Sequence, residues 1–469
     1  MHRTIGTIVG LAGLLVAGTA TAQPRTLQDA LAAAYANNPT LQAARAQLRA
    51  TDEGVPQALG GWRPTVVVSG TLGYGDGDSR TISRNSLTGI ASPNYARINR
   101  DIGTALATVT QPLYRGGATR AGTNQADNRV FGQRARLLAS EQTVFTNVIN
   151  AYVGVIQTQQ LLQLNINNEQ VLARQLQATN DRFRVGEITR TDVAQAEAAL
   201  AGARATRQTA EGNLQTARGT YRQLVGELPN QLIEPQPIRV PIRSQAEATQ
   251  LAGANNPNVI AALFDDSAAR DAIDVAFAAL MPQVSVQAQA ARSDNATFAN
   301  QRTIGGQVVL QGTVPIYQGG AEYSRVRQAR QTEQQARRTI EDVRRQAIQQ
   351  ATSAWETLQA TRATIESTRA QIRANQIALE GTQREAIVGS RTTLDVLNAE
   401  QTLLNSRVTL VQNLANLVTN SYAVAAAIGR LTARDLALNV PLYDETAYYN
   451  AVRNRLFGTG DYATSQPGR

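Results

Sequence analysis

The chain contains no cysteine and no lysine, and its one histidine is His2. The missing cysteine excludes disulfides, thiolate nucleophiles and the lipid-bearing N-terminal residue of a lipoprotein. His2 falls in residues 1–22, which read as a secretory signal peptide: Arg3, an apolar run from Ile5 to Val16, then the small residues Thr19-Ala-Thr-Ala22. A mature chain starting near Gln23 has no imidazole for a general base or a metal ligand. It also lacks any later apolar run near the roughly 20 residues of a membrane helix, so a membrane crossing has to be made by strands.

Net charge is +9. The arginines are interleaved with Glu and Asp along helical stretches, which marks solvated faces rather than a nucleic-acid surface. No P-loop is present, because the two Gly-Gly-Ala sites lack its lysine and spacing. These absences exclude the common enzyme classes: no cofactor and no catalytic residue is expected.

Proline is absent from Leu113 to Leu228 and from Ile316 to Val440. Each of these runs is helical in pattern and is interrupted once, by Phe183-Arg-Val-Gly-Glu-Ile-Thr-Arg-Thr-Asp192 and by Ala386-Ile-Val-Gly-Ser-Arg-Thr-Thr-Leu-Asp395. Gly186 and Gly389 suit the left-handed position that ends a helix, and Thr189-x-x-Asp192 and Thr392-x-x-Asp395 suit a capping box that starts the next. Both stretches read as the tip of a long helical hairpin.

The tips belong to a duplication. Asn37-Asn-Pro39 recurs as Asn255-Asn-Pro257 and Pro64 as Pro282, while Pro112-x-Tyr-x-Gly-Gly-Ala118, Gly186, Asp192, Ala196-Glu197 and Gly226 recur 203 residues later. The change of offset is expected to lie in a hairpin loop, where length is tolerated. Each repeat begins with a shorter helix, near 39–60 and 257–279. Alternating strands follow. Val66, Val68, Leu72 and Tyr74 oppose Thr65, Ser69 and Thr71; Ala105, Ala107, Val109 and Leu113 oppose Thr104, Thr108 and Thr110. Between them a polar loop is expected from about Gly75 to Asp101. In the second repeat Val284, Val286, Ala288 and Ala290, with Ile304, Val308, Leu310, Val314 and Ile316, form the oily side.

The expected organisation is a signal peptide (1–22), a first repeat (23–228, β-hairpin 65–113, helical hairpin 118–226) and a Pro-rich connector (229–250). A second repeat (251–430, β-hairpin 283–316, helical hairpin 321–430) and an equatorial segment with a disordered tail (431–469) complete it. Apolar residues at sevens, such as Val130, Leu137, Val144 and Leu403, Leu410, Leu417, Val424, with the stripe Ala196, Ala203, Ala210, Ala217, favour coiled-coil packing. A helix over 118–183 spans on the order of 100 Å but its return only about 57 Å, so the shorter helices are expected to stack end to end on the return helices. Four strands cannot close a barrel when the smallest need about eight, so copies must share one. Trp62, Tyr114 and Tyr317, at the helix-side strand ends, read either as an interfacial belt or as ordinary packing.

Together these features resemble the TolC family of outer-membrane efflux proteins, over nearly the whole mature chain. The fold class implied is mainly α with membrane β: duplicated helical hairpins forming a coiled-coil barrel, plus four strands per chain in a trimeric 12-stranded transmembrane β-barrel. The resemblance implies a homotrimer in outer-membrane lipid and a periplasmic adaptor (membrane fusion) protein. It also implies an inner-membrane pump of RND, ABC or MFS type, with drugs or secreted proteins expelled through a passive duct. It assigns the periplasmic gate to Arg391, bridged near Thr191 and Asp192 of the neighbouring helix pair, and to an aspartate ring at Asp395. Two positions depart from the family: Ala386 replaces a tyrosine and Asn398 the second aspartate. No metal site is expected beyond a cation ring at Asp395, whose three copies would raise one another's pKa. Asp192 reads first as a cap, and Asp395 as both cap and ring. Val185, Gly186, Glu187, Val388, Gly389 and Ser390 read equally as turn residues and as adaptor contacts. A soluble periplasmic coiled-coil adaptor or scaffold is the alternative; it accounts for the sevens but not for the oily strands.

Overall fold

The computed structural model describes residues 25–296, 299–460 and 462. The signal peptide and the end of the tail lie outside them. The helices and strands are, in chain order, α1 Leu27–Asn37, α2 Pro39–Asp52, α3 Gly54–Leu59, β1 Thr65–Arg84, β2 Ala91–Arg115, α4 Ala118–Arg184, α5 Arg190–Val225, α6 Gln245–Asn255, α7 Pro257–Ala278, β3 Gln283–Asp294, β4 Arg302–Thr313, α8 Ala321–Ile387, α9 Thr393–Ala427 and α10 Ala447–Val452. They form two compact units. One gathers the chain up to Asn37, Asn147–Gln236 and Ile365–Val418; the other gathers Asn38–Thr146, Pro237–Thr364 and the chain from Thr419 on.

The first unit carries both helical tips. Val193, Ala196, Leu200, Ala203 and Ala210 of α5 are buried, so the expected alanine stripe is a packing face. Leu172, Leu200, Ala203 and Leu397 form one apolar cluster that joins α4, α5 and α9. Tyr152 is fully buried, with its hydroxyl 2.7 Å from the carbonyl oxygens of both Arg25 and Ile233, which pins two connecting segments to α4.

The second unit holds the sheet, a meander in the order β1-β2-β3-β4 with every pair antiparallel. The register sets Val66 opposite Val109, Val68 opposite Ala107, Ala288 opposite Val308 and Val286 opposite Leu310, so one face is apolar as the alternation predicts. The other face carries polar pairs: Thr71 with Thr104 (2.5 Å), Gln307 with Gln289 (2.9 Å) and Gln287 with Gln311 (2.8 Å).

Several sequence expectations are corrected here. The polar stretch 75–101 is not a loop: β1 runs to Arg84 and β2 starts at Ala91, leaving a short turn. Glycine and serine weaken a strand only where the ladder is marginal, and here each strand completes the other's ladder. The length difference between the repeats therefore lies in the strands, with 20 residues in β1 against 12 in β3. Leu113 is not aligned with the oily set, because the register shifts between Pro112 and Tyr114 and brings Tyr114 opposite Val284; Pro112 has no N–H for the ladder, and a bulge absorbs it. β4 ends at Thr313, two residues before Pro315, which leaves Val314 and Ile316 outside the strand. α6 spans the same positions as α1 at an offset of 218, so the helical correspondence between the repeats reaches back to Gln245.

End-to-end stacking is seen in this unit. The Asn256 side chain caps α7 through Asn258 N (2.9 Å) and also donates to the Ala427 carbonyl at the end of α9 (3.4 Å). Gly429, at φ +80°, lies directly against the Asn255 carbonyl. Gly429→Ala is therefore expected to lower stability by at least about 2 kcal/mol, through a left-handed backbone and a backbone clash. Gly253→Ala, in α6 with only ordinary contacts to Ile348 and Arg344, is expected to be neutral or stabilising. Paired thermal melts of the two variants test this.

α7 in turn lies along α4. Phe131 and Phe264 stack at 5.3 Å, Asn128 donates to Asp271 at 2.7 Å, and Arg136 pairs with Asp265. The C-terminal segment ties onto α2–α4: Glu141 accepts from Ala433 N, Tyr448 donates to Glu53 (2.9 Å) and Tyr449 to Asp127 (2.8 Å).

Candidate functional site: the two helical tips

Both tips close by the same local chemistry. At the first, Gly186 has φ +81°, Glu187 N donates to Arg182 O (3.0 Å) and Gly186 N to Phe183 O (2.9 Å). At the second, Gly389 has φ +81°, Ser390 N donates to Glu385 O (3.0 Å) and Gly389 N to Ala386 O (3.3 Å). This pair of bonds is a Schellman closure, and the left-handed residue within it favours glycine. The next helix then starts from a reciprocal box. Thr189 N donates to Asp192 Oδ2 (3.0 Å) and Asp192 N to Thr189 Oγ1 (3.4 Å); Thr392 N donates to Asp395 Oδ2 (3.0 Å) and Asp395 N to Thr392 Oγ1 (3.2 Å).

These bonds fix the charge of both aspartates. The hydroxyl and N–H of Thr189 hold the Asp192 carboxyl below the usual range, and the N–H and hydroxyl of Thr392 do the same for Asp395. Inside one chain the shift at Asp395 is thus opposite to the one expected of a ring, since the cap already favours the carboxylate.

Sequence reasoning missed one partner. Arg391 donates through Nε to Glu385 Oε2 at 2.9 Å, and that carboxylate raises the arginine's pKa. At the first tip the polarity is inverted, with Arg182 bridging Glu187 at 3.0 Å. Arg182 and Glu385 are repeat counterparts 203 residues apart, so the exchange of sign was the available signal. Within one chain Arg391 engages Glu385 while Asp192 engages Thr189; the bridge from Arg391 to Thr191 and Asp192 is not made inside the chain.

The remaining predicted residues divide by exposure. Val185 and Val388 are 77% and 78% exposed, and Phe183 and Ile387 also project into solvent. Gly186, Glu187, Gly389, Ser390, Thr191 and Asn398 are exposed. Ala386 is buried, as are Val193 and Val396, which anchor each return helix behind its box. Each tip therefore presents apolar side chains among charged ones. Among the described residues no cluster of three or more His, Cys, Asp or Glu could hold a metal ion, and no helix is long and apolar enough to cross a membrane.

The profile of the outer membrane efflux proteins matches residues 30–227 and 248–430, which are the two repeats without the connector. The chain is 35% identical over 457 residues to the outer membrane efflux protein BepC of Brucella suis biovar 1 (strain 1330), covering 97% of this chain and 96% of BepC. It is 26% identical over 456 residues to the outer membrane protein TolC of Escherichia coli (strain K12), covering 92% and 87%. Its fold superposes on a solved structure of CusC with a TM-score of 0.73 at 17% identity, over 86% of this chain and 91% of that one.

Proposed function

The chain belongs to the outer membrane efflux protein family, and from that premise we propose that three copies close a 12-stranded barrel whose periplasmic gate is formed by the paired helical tips. The protein is an outer-membrane channel that spans into the periplasm, a passive exit duct of the kind used in efflux and type I secretion, and not an enzyme.

The observation that carries the trimer is the sheet itself. It is four strands wide, β1 and β4 have no outer neighbour among the described residues, and its oily face leaves Val66, Val68, Leu72, Val308 and Leu310 exposed. In lipid such a face is favourable but an open edge is not, because the unpaired N–H and C=O groups have no water to bond. Sister chains must therefore complete the wall. A soluble adaptor would have no use for this face. Detergent-extracted protein is expected to migrate as a heat-resistant trimer, and a water-soluble monomer would overturn the barrel.

At the helical tips, the exposed Phe183, Val185, Ile387 and Val388 are the contacts offered to a periplasmic adaptor, which couples the duct to an inner-membrane pump. Glu187→Arg leaves the Schellman turn intact but replaces the ion pair with Arg182 by like charges. Crosslinking of this variant to its adaptor is expected to fall several-fold while Glu187→Gln retains most of it; unchanged crosslinking in both would leave the tip as a turn only.

A further inference from the structure

Behind the tips, α4, α5 and α9 enclose a cavity of about 300 Å³ that the gate and barrel do not use. Glu400 of α9 lines it, is only 8% exposed, and has an Oε2 that is enclosed without a hydrogen-bond partner. Burial raises its pKa, and the one interaction that counters this is a bond from Gln383. A desolvated carboxylate left half-satisfied takes up either a proton or a positive charge.

The two arginines that follow lining residues Ala203 and Thr206 on α5 are engaged elsewhere. Arg204 and Arg207 of α5 both bridge Glu169 of α4, at 3.3 and 2.7 Å, and Arg207 also reaches Glu211 at 2.6 Å. Part of the polar lining is likewise engaged: Asn165 Nδ2 donates to Leu161 O, Gln401 Nε2 to Asn405 Oδ1 and the Thr206 hydroxyl to Gly202 O, each at 2.9 Å. The side-chain oxygens of these groups remain to accept from a ligand, beside one amide N–H on each of Asn165 and Gln401. Leu172, Leu397 and Leu404 supply apolar walls. A hard divalent ion wants six or more oxygens at close range and usually several carboxylates, and this space is too large and has too few charges for one.

We propose that this cavity binds a small organic monocation, an amidinium, guanidinium or primary ammonium on a compact apolar body, with its charge against Glu400 and its body among the leucines. The assignment does not rest on the trimer or the gate. Its internal control is Glu197, the repeat counterpart of Glu400, which is exposed on α5.

The test is calorimetric titration of the detergent-solubilised full chain at about pH 8, with benzamidine as the monocation and benzamide as its neutral isostere. Benzamidine is expected to bind and benzamide to bind about tenfold or more weakly, since a hydrogen-bonded charge contributes that much. Glu400→Gln should lose benzamidine to the same degree and Glu197→Gln should not. Ala203→Leu, which fills the cavity and keeps the carboxylate, should also lose it, and serves if Glu400→Gln fails to assemble. Equal binding of the two probes, undiminished binding in Glu400→Gln, or no binding at millimolar benzamidine would overturn the site. Protein that binds benzamidine but does not trimerise would refute the barrel and leave this inference standing.

Discussion

Single-channel conductance in planar bilayers is expected to rise several-fold when Arg391 is replaced by serine, and cation blockade to weaken when Asp395 is replaced by alanine. Arg391 already binds Glu385 through Nε, and a guanidinium has further donors with which to bridge a neighbouring helix pair at the same time. In the proposed gate the own-tip bond would orient the arginine while the second bond would hold the closed state. Glu385→Gln separates these roles, because it removes the orienting charge and leaves the bridging donors in place; an intermediate conductance is expected. Asp395→Asn should reproduce the loss of blockade with less cost to the helix start, because its amide oxygen still caps, whereas alanine gives up a cap worth about 0.5–2 kcal/mol. Conductance and blockade equal to the parent in all four variants would remove the tips from the gate.

The second large effect is on stability. Asp52 on α2 is fully buried, and neither of its carboxylate oxygens has a hydrogen-bond partner among the described residues. Desolvation pushes its pKa up to about 7 against partial relief from Arg134 and Arg49, with Glu53 and Glu445 adding to the rise. A folded-state pKa above the unfolded value means that the native chain holds a proton the unfolded chain releases. The favourable contribution is complete below about pH 4, falls as pH rises towards 7, and is absent above it. Asp52→Asn removes this dependence. A carboxyl that titrates near 7 in the folded chain and near 4 in the unfolded one costs the parent about 4 kcal/mol of stability at pH 8. The buried amide's own unmet bonds subtract about 1–3 kcal/mol from what the variant recovers, so a net gain of about 1–3 kcal/mol is expected at that pH. At pH 4, where the parent carboxyl is protonated, the variant should melt below the parent by the amide's own deficit of about 1–3 kcal/mol, so the order of the two reverses between pH 4 and 8. A parent whose melting temperature is flat between pH 4 and 8 would contradict the assignment.

Much of the fold was legible because its signals are local. Gly186 and Gly389 announce left-handed closures, Thr189 with Asp192 and Thr392 with Asp395 announce boxes, and proline-free runs fix where the long helices lie. The oily and polar faces of the strands were legible because a period of two survives without knowledge of the partner. What was not legible depended on partners distant in sequence. Gly75 to Asp101 has the composition of a loop and becomes strand only because each half finds the other. The Pro112 bulge depends on β3, which lies about 170 residues away. On α2, the buried set Leu41, Arg45, Leu48 and Asp52 has helical spacing, yet nothing in that spacing distinguishes a buried aspartate from a solvated one. The Glu385 partner of Arg391 was within reach of the repeat offset and needed only a comparison of charge signs.

The unequal strand lengths have an outcome for an observer outside the cell. Beyond Gly103, where β3 stops pairing with β2, β1 and β2 continue alone as a two-stranded ribbon from Gly73 and Ile102 to the turn between Arg84 and Ala91, roughly 40 Å of it at ~3.4 Å per residue. If the four-stranded part lies in the membrane, as proposed, this ribbon carries the turn out beyond it, and in a protein with neither cysteine thiols nor lysine amines the turn is a place for a label. An epitope spliced between Ser86 and Leu87 should be stained on intact bacteria without permeabilisation, turning a quirk of one hairpin into a handle on the living assembly.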